Sequence, residues 1–145
     1  MKIVGIIGPY FSGGDRRVID HNIANCRALM RAIAKRFGEN KLVGFFGPHS
    51  HTARFEREVD VPESYYHALD DALYDRACDG VVCLPHWEES SGAQRDVDRA
   101  LENGKRIFVL ISYEVRLWPR FLTSLRPGQD LYNTTPVGQP AGLTF

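Results

Sequence analysis

The chain has 145 residues, 43% of them hydrophobic and 25% charged, which suits one soluble domain with one core. Lys and Arg together number 18 and so do Asp and Glu, so no general electrostatic pull toward nucleic acid or membrane is expected. The opening MKIVGIIGPY has six uninterrupted apolar or glycine positions after one lysine, too few for a signal sequence or a membrane span. It predicts a buried strand of a cytoplasmic protein.

Residues 2–7, KIVGII, form this first strand and stop at Gly8-Pro9. From Asp15 the period changes: Ile19, Ile23, Cys26, Met30, Ile33 and Phe37 recur at three- and four-residue steps, on one helical face. Lys35 and Arg36 complement the dipole of the last turn before Gly38. KLVGFFG (41–47) predicts a second strand. The charged segment 48–62 shows neither period and reads as a loop or a broken helix. A helix follows from Pro62 to Ala77, with Tyr66, Leu69, Leu73 and Ala77 as its expected apolar stripe. DGVVCLP (79–85) is a third strand, Ser91–Asn103 a helix ending at Gly104, and KRIFVLI (105–111) a fourth strand. RLWPRFLTSL (116–125) predicts a last short helix. Residues 126–145, with three prolines and three glycines, read as an irregular tail beyond a domain spanning 1–125.

Short, nearly continuous apolar strands alternating with helices predict a parallel sheet of four to five strands covered on both faces. With right-handed crossovers this is an α/β, doubly wound, Rossmann- or flavodoxin-like three-layer sandwich. Ligands of such folds sit beyond the carboxyl ends of the strands, here at loops 8–16, 47–62, 85–92 and 112–118. Cys26, Cys78 and Cys83 fall inside predicted elements without a C-x-x-C pattern, and read as small apolar core residues.

The first loop, GPYFSGGDRR, offers glycine backbone N–H groups to an anion, although it is neither a Walker A loop nor a dinucleotide fingerprint. In CLPHWEESSGAQRDVDRA, Ser90 or Ser91 caps a helix and Asp96 lies within its first two turns. Taken alone, that pattern is also the pattern of a solvated helix start. His49 and His51 lack a third ligand at metal-binding spacing, so neither metal nor cofactor is expected. Tyr10, Phe11 and Trp87 fall in strand-end loops, where they either stack on a planar base or close the core.

GIIGPYF, CDGVVCLPHWEESSGAQRDVDRA and GKRIFVL, in this order, resemble the nucleoside 2-deoxyribosyltransferase and nucleoside 5′-monophosphate N-glycosidase superfamily. The nearest branch is a phage and bacterial one with a Leu-Pro-x-Trp-Glu-x-Ser-x-Gly-Ala signature, and the resemblance spans residues 2–111. It implies cleavage of a base–sugar bond of a nucleoside or (deoxy)nucleotide, by hydrolysis or base transfer, through an oxocarbenium-like transition state. It places Asp96 at the nucleophile of a Gly-x-x-x-Glu pattern and Asp71, eight residues before Asp79, at the acid serving the leaving base. Ser90, Gly13 and Gly14 fall at phosphate contacts and Tyr10 near the sugar. Gly8, Trp87 and Gly92 complete the expected substrate-binding set. The family also implies a homodimer or larger homo-oligomer. Asp96 is one methylene shorter than the family's glutamate. That leaves three readings: a closer backbone, chemistry supplied by Glu88 or Glu89, or a non-catalytic nucleotide binder on the same scaffold.

Overall fold

The computed structural model describes residues 1–114; the short helix expected at 116–125 and the tail at 126–145 lie outside the described residues. Strands β1 (Lys2–Ile7), β2 (Val43–Phe46), β3 (Gly80–Cys83) and β4 (Arg106–Val109) form one sheet, ordered β2-β1-β3-β4 and parallel throughout. Helices α1 (Arg16–Phe37), α2 (Pro48–His51), α3 (Glu63–Ala77) and α4 (Ser91–Glu102) fill the crossovers, with short 3-10 turns at Ser12–Gly14, Phe55–Arg57 and Trp87–Glu89. The doubly wound α/β sandwich follows. Strands β2, β3 and β4 are shorter than the apolar runs that announce them. The chain still bonds past their ends: Asp79 N–H donates to Ile3 O, Leu84 N–H to Ile7 O and Leu110 N–H to Cys83 O.

Side chains alternate across β1, as a strand covered on both faces requires. Val4 and Ile6 pack with Cys26, Leu29, Ile33 and Phe37 of α1, while Ile7 packs with Tyr74, Val81, Ala93 and Val97 on the other face. Every residue of the stripe expected on α1 is buried. The three cysteines are free and buried in these two clusters, and burial pushes their thiols up to about 12, 11 and 12 for Cys26, Cys78 and Cys83. Among the described residues no helix is long and apolar enough to cross a membrane.

Helix α3 corrects its expected stripe. Ala77 is exposed and Leu69 and Leu73 are only half-buried, whereas Asp70 and Tyr74 are buried and Tyr66 is half-buried one turn before them. The inward face thus runs 66, 70, 74, and a carboxylate occupies its middle. Tyr74 anchors this face: its hydroxyl donates to the carbonyl of Ile6 at 2.9 Å. Gly5 makes the close approach possible, because a Cβ there would sit 2.5 Å from the Tyr74 ring. Gly5→Ala is therefore expected to destabilise the protein by about 1–3 kcal/mol through overpacking, read as a lower denaturation midpoint in urea.

Segment 48–62 is the broken helix of the two alternatives, with α2 and the Phe55–Arg57 turn separated by Arg54 in a left-handed conformation (φ 70°). From β1 the chain winds outward to β2, then returns across to β3 on the other side. The carboxyl ends of β1 and β3 mark this reversal of winding, where the loops diverge and leave a crevice.

Candidate functional site

The crevice is a cleft of about 750 Å³, a volume suited to a small organic ligand. Its walls come from the loop after β1, the segment after β2, the inner face of α3 and the first turns of α4.

Asn22 of α1, itself buried, fixes the first loop by donating to Tyr10 O and Ser12 Oγ, both at 3.2 Å. Asp15 caps α1 by accepting from Arg17 N–H at 2.8 Å. Gly8 packs against Leu84 with no room for a side chain. Tyr10 ties this loop to the 48–62 segment: its hydroxyl accepts from Arg54 N–H at 2.7 Å and donates to the Glu56 carboxylate at 3.1 Å. Gly13 lines the cleft at φ 72° with open space above it, while Gly14 turns under the Phe11 ring and does not line it.

At the opposite wall Ser90 is the N-cap of α4, its Oγ accepting from Ala93 N–H at 3.3 Å. Ser91, Gly92 and Ala93 line the cleft beside it. Trp87, expected among the substrate-binding residues, does not line the cleft; it packs on the core cluster beneath α4, the other of the two places open to it. Glu88 is exposed outside the cleft, and Glu89 stands at the exposed rim, where it pairs with His86 Nδ1 at 3.1 Å.

Two carboxyl groups lie deeper. Asp96 lines the cleft with its side chain 16% exposed, and its Oδ1 accepts from Arg95 Nη2 at 2.9 Å. Burial raises its pKa, and the Arg95 guanidinium opposes the rise. Asp70 is 9% exposed and its Oδ1 has no hydrogen-bond partner. Burial foremost, then the charge of Asp96, pushes Asp70 up to about 7. Asp71, the acid expected from spacing, does not line the cleft. It faces α4, 3.0 Å from Arg95 Nη2 and 3.5 Å from Arg99 Nη1. Adjacent residues on a helix point about 100° apart, so only one of the two acids faces inward. Asp71 serves the site indirectly, through the guanidinium it shares with Asp96.

Of the expected residues, Gly8, Tyr10, Gly13, Ser90, Gly92 and Asp96 meet in one cleft, and Gly14, Trp87 and Asp71 stay outside it. Asp70, Tyr66, Tyr74 and Glu56 join them. The spacing Tyr66-Asp70-Tyr74, an acid between tyrosines at four-residue steps, is the signal that would have found Asp70. His49 and His51 do not converge. His49 is buried on the Pro9 carbonyl, while His51 is exposed and its ring packs edge-on against Phe46. Among the described residues no three metal-ligating side chains gather.

The charge of the cleft is one-sided. Glu56, Glu63, Asp70, Glu89 and Asp96 line it, and among the described residues no lysine or arginine does. No family model matches the chain, and no curated protein matches it.

Proposed function

We propose that the protein is an N-glycosidase that cleaves the base–sugar bond of a nucleoside or nucleotide, by hydrolysis or transfer to a second base. The observation that carries this reading is the pair Asp70 and Asp96, a buried and a half-buried carboxyl group on the walls of one cleft with unequal hold on a proton. Asp70 holds its proton up to about pH 7, pushed there by burial and the Asp96 charge, whereas at Asp96 the Arg95 guanidinium opposes the rise that burial causes. Two acids whose surroundings push them apart define an acid and a base or nucleophile.

In the forward step Asp70 donates its proton to a ring nitrogen of the base as the glycosidic C–N bond breaks and the bonding pair leaves with the base. The anomeric carbon becomes cationic and Asp96 compensates it, as an ion pair or by forming an ester. Water, or a second base, then attacks that carbon; its proton returns to Asp70 and Asp96 is released. The likeness to the deoxyribosyltransferase superfamily supports Asp96 as the nucleophile; it put the acid at Asp71, where the cleft wall carries Asp70 instead. Because Asp96 is a methylene shorter than the superfamily's glutamate, a nucleotide binder without chemistry is the second reading.

Carboxylates on the walls repel a dianionic phosphate and leave an uncharged nucleoside unaffected. Nucleosides are expected to be cleaved about tenfold faster, in kcat/KM at low salt, than their 5′-monophosphates. Chromatography of free base from ribo- and deoxyribonucleosides, their 5′-monophosphates and NAD tests both points. Absence of base from every substrate, with thermal stabilisation by one of them, would overturn the enzyme and leave the binder. Faster release from the monophosphates would overturn the charge argument alone.

A further inference from the structure

His49 is held in one chemical state. The ring is 4% exposed, and its Nε2 lies 2.7 Å from the Pro9 carbonyl oxygen. A carbonyl only accepts, so Nε2 carries the proton. Burial, the main influence on the ring, holds it neutral against the Pro9 and Gly8 carbonyls, which favour the charged form. A neutral imidazole protonated at Nε2 presents a bare lone pair at Nδ1. That atom is buried and has no hydrogen-bond partner. The ring plane is fixed as well, by an edge-on contact with Tyr10 at 5.5 Å between centroids.

Buried polar atoms without a partner are rare in folded proteins. Three of those among the described residues, His49 Nδ1, Tyr66 OH and Asp70 Oδ1, belong to side chains that line the cleft. A protonated carboxyl and a phenol both donate and accept. His49 Nδ1 can only accept, and the wall residues Glu56 and Glu63 carry acceptors too.

We infer that His49 Nδ1 accepts a hydrogen bond from a neutral donor of the substrate, an exocyclic amine of the base or a hydroxyl of the sugar, and thereby decides which nucleosides the cleft takes. The nucleoside itself rests on the proposed function; the acceptor does not. A ligand offering a carbonyl at that point sets lone pair against lone pair and leaves Nδ1 unpaired, which a polar site rejects strongly.

The test pairs substrates that exchange an exocyclic amine for a carbonyl, adenosine with inosine and cytidine with uridine, or that lose one hydroxyl, each riboside with its 2′-deoxy counterpart. Binding is measured by calorimetry and base release by chromatography. The wild type is expected to favour the member with the exocyclic amine, or the member with the 2′-hydroxyl, by about 10- to 100-fold, mainly in KM. Amine dependence assigns the donor to the base, and dependence on the 2′-hydroxyl assigns it to the sugar. His49→Gln keeps an N–H for the Pro9 carbonyl but has no acceptor at the Nδ1 position, and is expected to shrink the preference below about threefold. His49→Asn keeps an acceptor near the Nδ1 position and is expected to retain it.

Base release without any such preference in the wild type, or an unchanged preference in His49→Gln, overturns the inference and leaves the glycosidase standing. Binding that discriminates without any release supports the inference and overturns the glycosidase. Neither binding nor release overturns both. If the variants fail to fold, the wild-type pairs alone decide.

Discussion

Asp70→Asn is expected to lower base release by about 10²- to 10⁴-fold and, at the same time, to stabilise the protein at pH 8. The first effect follows from the proton: asparagine has none to give to the leaving base. The second follows from linkage. An unfolded aspartate titrates near 3.8, whereas the folded carboxyl is pushed up to about 7. Between these values the folded chain holds a proton that the unfolded chain has released, so stability falls as pH rises through the window and stays low above it. Asparagine has nearly the same shape and never ionises, so it escapes the loss. After discounting for solvent screening the gain at pH 8 is on the order of 2 kcal/mol, or roughly 5 °C in Tm, and it vanishes near pH 4. Calorimetric melting at the two pH values, beside the chromatographic assay, checks both halves. A lower Tm at pH 8 would show that the native carboxylate is ionised and paired, and would remove Asp70 as the acid. Wild-type release is also expected to decline above pH 7, where Asp70 gives up its proton.

Asp96→Asn is expected to cost at least about 10³-fold in kcat with the fold retained, because the amide neither attacks the anomeric carbon nor balances its charge. It also carries a signature that mere loss of activity lacks. The charge of Asp96 is the second largest influence holding the Asp70 proton, after burial. Removing that charge is expected to lower the Asp70 pKa, visible as a shift of its carboxyl carbon titration to lower pH by NMR. An unchanged titration would mean that the two groups do not sense each other, and the acid–nucleophile pairing would fall. Asp96→Glu supplies the missing methylene. Release comparable to wild type from this variant would show that the cleft tolerates either reach, whereas a sharp gain would mark Asp96 as a weakened nucleophile.

Much of this architecture is legible in the residues. The α1 stripe, the strand runs and the Ser90 cap follow from periodicity and capping alone, because they depend on local geometry and on the two faces of a strand. The inward face of α3 is not. Periodicity assigns apolar residues to the core, and α3 instead turns Asp70 toward the cleft while Leu69 and Leu73 sit at its flanks. The choice between Asp70 and Asp71 is a rotation of about 100°, which Tyr74 and Gly5 settle by docking α3 on β1. In the sequence His49 shows only as half of a histidine pair without a third ligand; its buried setting depends on the Pro9 carbonyl, forty residues earlier in the chain.

Tyr74 and Gly5 carry one more consequence. Asp70 and Asp96 ride on helices packed on the sheet, while His49, Tyr10 and Glu56 sit on the segments that connect strands to helices. Under the proposed function, the part that breaks bonds and the part that chooses what is broken are mounted separately. Exchange of residues in the 48–62 segment can retune the diet of such a scaffold while its reactive acids keep their places, so divergence among proteins of this design is expected to accumulate there first.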